Sequence, residues 1–139
     1  MDVATLMLIA YRAMDERVIS AMRDAGYDIT VAQARLAQRI AEDGSRLVDL
    51  AEQAQVTKQT ASVLVSALES KGLVERVPDP VDGRARLIRF TAAGQDAADR
   101  AREVVMSVEQ EWNDHLGPRL APALREALTS LRELVDPYQ

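Results

Sequence analysis

The stretch 57–90 leaves few folds open to this chain. Ala61, Leu64, Val65 and Leu68 stand at positions i, i+3, i+4 and i+7, the spacing of one apolar helix face. Thr57 in front of them suits an N-cap, and Gly72 behind them suits a helix stop. The period then changes. Residues 73–77 and 86–90 are short runs rich in branched side chains, separated by Pro78-Asp79-Pro80-Val81-Asp82-Gly83, which predicts a β-hairpin. Just upstream, Leu47, Leu50, Ala51 and Ala54 mark another short helix. Two short helices across a tight turn, followed by a two-stranded hairpin, are the parts of a winged helix-turn-helix.

Helices flank this unit on both sides. Val3, Met7, Ala10, Met14, Val18 and Ala21 form a continuous stripe, and Leu6, Leu8, Ile9 and Tyr11 widen it until the helix is apolar on most sides. Such a helix is buried on most sides, which in so short a chain predicts a second subunit. Gly26 is expected to end it. Thr30-Val31-Ala32-Gln33 fits a capping box that opens the second helix, with Asp43-Gly44 expected to close it. Thr91 is expected to cap a long helix reaching about Leu116, broken by Gly117-Pro118. A last helix follows, with Leu120, Leu124, Leu128, Leu131 and Val135 at spacings of three and four. Pro122 fits it only in the first turn. The fold expected is therefore mainly α with a small β-hairpin: a winged helix-turn-helix between N- and C-terminal dimerisation helices.

The face of the 57–70 helix opposite its apolar stripe carries Lys58, Gln59, Ser62, Val63 and Ser66, and is small, polar or methyl-bearing and nearly free of acid. A helix entering the major groove needs donors for base edges and methyl contacts for thymine. A solvated helix would more often show Glu–Lys pairs there. Arg84 and Arg86 flank the predicted turn, with Arg76 on the first strand and Arg89 further along the second. Arginines at a hairpin tip can reach a minor groove or its phosphates. Asp82 is close enough in sequence to hold one of them. Taken together, Thr57, Lys58, Gln59, Thr60, Ser62, Val63, Ser66, Arg76, Arg84 and Arg86 are the candidate DNA contacts.

Net charge is −5 over 139 residues, which at first argues against a nucleic-acid partner. The distribution is uneven. Residues 1–56 hold six Arg against nine acids, residues 57–90 six Lys and Arg against four acids, and residues 91–139 five Arg against nine acids. The predicted winged unit is thus the basic part of an acidic chain. There is no cysteine, which excludes disulfides, thiolate metal sites and thiol redox sensing. The single histidine, His115, cannot build a multi-histidine metal site, so neither metal nor cofactor is expected. No nucleophile–base pair and no glycine-rich phosphate loop suggests an enzyme. No apolar run approaches the length of a membrane span, and Asp2 precedes any basic residue, so a cytoplasmic protein is expected.

Leu50-Ala51, the segment 57–68, Lys71-Gly72-Leu73-Val74-Glu75-Arg76, Asp79-Pro80-Val81-Asp82-Gly83-Arg84 and Phe90-Thr91-Ala92-Ala93-Gly94 resemble, in order and spacing, the multiple antibiotic resistance regulator (MarR) family. The motifs cover about residues 47–94, and the flanking helices match in length and position. The resemblance implies one domain over 1–139. In it, 1–29 and 117–139 are dimerisation helices, 30–90 the winged helix-turn-helix and 91–116 a long connecting helix. It also implies a homodimer on a palindromic double-stranded DNA operator, with Arg84 near the minor groove. Many members are repressors released by small aromatic or phenolic ligands bound between the dimer helices and the DNA-binding lobe. Two positions depart from the pattern: Val63, where a basic residue is frequent, and Gly83, where a wing arginine is frequent. Should the first and fifth helices meet as the resemblance implies, Tyr11, Met14, Met106, Trp112 and His115 are candidates to line a ligand pocket. The leading reading is a ligand-responsive repressor. The alternative is a dimeric protein-interaction module with a degenerate winged helix.

Overall fold

Asp2 starts the first element by accepting the Thr5 amide on its carboxylate at 2.8 Å, a helix N-cap. The computed structural model describes residues 1–138 and orders them as α1 Val3–Asp24, α2 Val31–Ala37, α3 Leu47–Gln53, α4 Lys58–Ser70, β1 Val74–Pro78, β2 Arg86–Phe90 and α5 Ala92–Val135. This is the mainly helical chain with one antiparallel hairpin that the sequence patterns require. The hairpin pairs Val74 with Phe90 and Pro78 with Arg86.

The capping box at Thr30 is present in both halves. The Thr30 hydroxyl accepts the Gln33 amide, and the Gln33 side chain accepts the Thr30 amide. The end of α2 differs from expectation: it stops at Ala37, not at Asp43-Gly44. The amides of Arg39 and Ile40 tighten onto Leu36 and Ala37. The chain then turns so that Ile40 is buried and Ser45 exchanges both backbone hydrogen bonds with Ile88 of β2. A longer helix would forfeit that pairing, so the tertiary contact overrides local helical preference.

The α4 stripe does what its spacing predicts. Ala61, Val65 and Leu68 are buried among Leu36, Leu50, Val74 and Ile88, so that α2, α3, α4 and the hairpin share one core with the start of α5. Full burial stabilises each such aliphatic side chain by roughly 1.5–3 kcal/mol. α1 lies along α5, with Arg17 and Glu111 paired at 3.0 Å. Both partners are exposed, so the pair marks orientation more than stability.

α5 is interrupted at Gly117, whose φ of 77° and ψ of 178° lie in a region open essentially to glycine alone. Pro118 demands the extended ψ of the residue before it and forbids a straight helix there. The C-terminal arm folds back from this break, and Arg125 reaches Glu109 at 2.8 Å across it. Gly117→Ala meets no neighbouring atom, so its cost is backbone strain, about 1–3 kcal/mol. Chemical denaturation should show that loss. A variant as stable as the parent would mean that the arm can leave the kink freely. Pro122 is the fifth residue after the break and so lies beyond the first turn expected for it. It has no amide to give the Pro118 carbonyl, and both prolines are exposed.

Candidate nucleic-acid interface

Thr57 caps α4 by accepting the Thr60 amide at 3.0 Å and donating its hydroxyl to Thr60 Oγ1. Those two hydroxyls are thus committed to the helix start. Beyond them, Lys58, Gln59, Thr60, Val63 and Ser66 are exposed and Ser62 is half-buried, on the side opposite Ala61, Val65 and Leu68. Val63 is 64% exposed, a methyl-bearing side chain kept in solvent amid polar neighbours.

On the hairpin the arginines divide into two groups. Arg89 pairs with Glu75 directly across the strands at 2.7 Å. Arg76 turns toward α4, donating to Ser66 Oγ at 3.4 Å and lying 3.5 Å from Glu69. Arg84 and Arg86, by contrast, are exposed and, among the described residues, form no ion pair, and neither does Lys58. Asp82 holds Arg84, as its place in the sequence suggested, and does so through the Arg84 backbone amide at 3.1 Å, which leaves the guanidinium untouched. The structure therefore leaves Lys58, Arg84 and Arg86 with uncommitted charge.

The sequence reading did not identify Arg46 and Asp79. Asp79 is 7% exposed and accepts from Arg46 Nε and Nη2, both on Oδ2, at 3.0 and 2.7 Å, and from the Val81 amide on Oδ1 at 2.9 Å. The second of these is a local turn pattern that an Asp two residues before Val81 could have signalled. Arg46 lies 33 residues away and carries no local signal. The Val81 amide first, and Arg46 next, hold the Asp79 carboxyl below the ordinary value of 3.8, against the opposing effect of burial. A depressed carboxylate contributes stability above its unfolded pKa and loses it as pH falls through the folded value. The Val81 amide resonance should accordingly hold its position as exposed carboxylates titrate near pH 3.8 and shift only below that. A wing transition at or above the ordinary carboxylate range would show that Asp79 is not so held.

Between α1, α2 and the first part of α5 lies a cavity of about 380 Å³, lined by apolar side chains such as Met22, Ile29, Ala101 and Val105, with Gln38 and Arg102 as polar members. Of the five pocket candidates, Met106 lines it; Tyr11, Met14, Trp112 and His115 do not. Tyr11 instead accepts from Arg35 Nε at 3.2 Å, beneath a guanidinium 5.3 Å from its ring centre, while Arg35 also pairs with Asp15. Met14 and Trp112 are half-buried, and His115 is exposed. Alanines at 34, 37, 97, 98 and 101 and Gly94 hollow the space out, which the sequence signalled only as good helix formers. Among the described residues, no helix is long and apolar enough to cross a membrane.

Residues 27–85 match the model of the MarR family. The transcriptional regulator HosA of Escherichia coli is 35% identical over 86 residues, which span 61% of this chain and 64% of HosA, just under two thirds of its length. The transcriptional regulator Tm0710 of Thermotoga maritima is similar in structure over 96% of this chain and 92% of its own, with a TM-score of 0.66 and 27% identity. A Staphylococcus aureus MepR variant bound to an oligodeoxyribonucleotide shares the fold over 98% of this chain and 99% of its own, with a TM-score of 0.64 and 22% identity. Sequence and fold agree over the winged helix: residues 27–85 match the MarR family, and the helices around them follow the fold of the solved relatives.

Proposed function

We propose that the chain is a sequence-specific DNA-binding transcriptional regulator that acts as a homodimer, a repressor that responds to a small ligand. The observation that carries this reading is the α4 face, largely polar, its one acid Glu69 paired with Arg76, and flanked by the uncommitted cations Lys58, Arg84 and Arg86. α4 would enter the major groove, where Gln59 and Ser62 face base edges and Val63 meets thymine methyls. The wing would bring Arg84 and Arg86 to phosphates or a narrow minor groove. That a MepR variant is bound to an oligodeoxyribonucleotide, and that HosA is named a transcriptional regulator, supports the same reading.

Dimerisation rests on exposed apolar surface. Val3, Leu6, Met7, Leu8 and Ile9 of α1, and Leu120, Leu124, Leu128 and Leu131 of the arm, are exposed in the single chain. A patch of this extent marks an interaction surface. A second copy would place two α4 helices for the two halves of a palindrome and make residues 1–29 and 117–139 the dimerisation elements. The cavity beneath α1 and α5 is of ligand size and mostly apolar, which suits a small aromatic or phenolic effector.

Salt dependence of DNA binding tests the reading. If Lys58, Arg84 and Arg86 neutralise about three phosphates per subunit, the dimer neutralises about six, and log K should fall against log salt with a slope of about −5. Arg84→Ala should flatten the slope by about 2 and weaken binding to all sequences, the dimer staying folded. A slope unchanged by that substitution would place the wing away from DNA and favour a protein-interaction module.

A further inference from the structure

We propose that Arg46 and Asp79 are a wing-positioning pair, which fixes the hairpin tip relative to α4 so that Arg84 meets the same duplex as the recognition face. The proposal rests on the DNA-binding reading above. The hairpin is pinned to the helical body by two consecutive residues that lead straight into α3. Ser45 exchanges hydrogen bonds with Ile88 at 2.9 and 2.8 Å, in the middle of β2. Arg46 reaches past the end of β1 to Asp79. Gly44 makes the approach possible: its φ is +99°, and a Cβ there would lie 3.1 Å from Leu87 Cβ and 3.3 Å from the Ile88 carbonyl oxygen.

Both Asp79 oxygens are used, one by the Arg46 guanidinium and the other by the Val81 amide, while the Asp79 amide donates to the Ala85 carbonyl at 3.0 Å. One residue thus joins the start of α3 to both limbs of the turn that carries Arg84, its side chain holding Arg46 and Val81 and its backbone amide holding Ala85. Asp82 and Asp49 also lie near enough to act on the Arg46 charge. Without Asp79 the tip would hang on a two-stranded ladder, and an isolated hairpin is marginal in water. Without Arg46, Asp79 would be a buried carboxylate missing its counter-charge, an arrangement that favours opening of the turn. Neither residue need touch DNA; each acts through Arg84.

The test compares Asp79→Ala, Arg84→Ala, their double variant, Arg46→Ala and Arg46→Lys on a DNA site selected with the intact protein. Asp79→Ala should lower affinity about tenfold and flatten the salt slope by about 2, as Arg84→Ala does. The double variant should bind within about twofold of Asp79→Ala, because the two changes remove one effect. Arg46→Lys keeps one donor and the charge and should restore most of the affinity that Arg46→Ala loses. In the free protein, amide exchange at Val81 and Arg84 should quicken in Asp79→Ala and Arg46→Ala while Val65 stays protected. Additive losses in the double variant, or wild-type binding by Asp79→Ala, would overturn the proposal. Should Asp79→Ala not fold, Asp79→Asn replaces it with the same expectations. Absence of DNA binding by the intact protein would sink the DNA reading instead. Amide exchange then judges the pair alone, and unchanged wing exchange would refute it.

Discussion

Gly94→Ala should be the most damaging single-methyl change in the molecule. A Cβ at Gly94 would sit 1.7 Å from the Leu73 carbonyl oxygen and 2.7 Å from its carbon, and these atoms are backbone, which cannot rotate away. The same carbonyl accepts the Thr91 amide at 3.1 Å, so relief requires pulling the start of α5 off the base of the hairpin. Overpacking of this kind costs about 1–3 kcal/mol, and a lost hydrogen bond adds about 1 kcal/mol. The midpoint of thermal unfolding should drop by about 10 °C or more. Gly83→Ala is the control, since its Cβ meets nothing and its φ is not in the left-handed region. Calorimetry that found both variants equal to the parent would show that α5 does not seat on Leu73 as described.

The second large effect concerns the arm. Leu124 and Leu128, 46% and 43% exposed in the single chain and absent from its core, lie one turn apart. Replacing both with Glu should leave the winged helix folded, because Leu36, Leu50, Val65 and Ile88 do not depend on them. On the proposed dimer, however, four buried carboxylates would face an apolar partner, which an interface of at least roughly 1,600 Å² cannot absorb without unpaired charge. Sedimentation should report a folded monomer. Affinity for a palindromic site should then fall by about 10²-fold or more, since each half-site is bound alone. A double variant that stays dimeric with undiminished affinity would place the subunit contact elsewhere.

The same exposed leucines show where a sequence is legible. Periodicity alone identified α1, α4 and the arm, because a helix that must bury one face repeats its apolar residues every three or four positions, whatever covers them. Caps and stops were equally local: Asp2 escaped notice, but Thr30, Thr57, Thr91, Gly26 and Gly72 act through neighbours a few residues away. The composition of the α4 face and the basic charge of residues 57–90 likewise belong to the sequence.

Tertiary structure decided what depends on residues far apart. It ended α2 at Ala37 and turned the chain so that Ser45, eight residues on, pairs with Ile88. It divided the arginines by partner, tying Arg76 to Ser66 and Glu69 and Arg89 to Glu75, and leaving Arg84 and Arg86 with open charge. It also chose Met106 over Tyr11, Met14, Trp112 and His115 as a cavity wall, since the hollow forms where small alanines of α2 and α5 face each other. Local chemistry thus determined which elements exist and which faces they present. Packing beyond the reach of a helical or strand period determined how those faces meet, because a hydrogen bond between elements, or a cavity between them, leaves no period in the sequence.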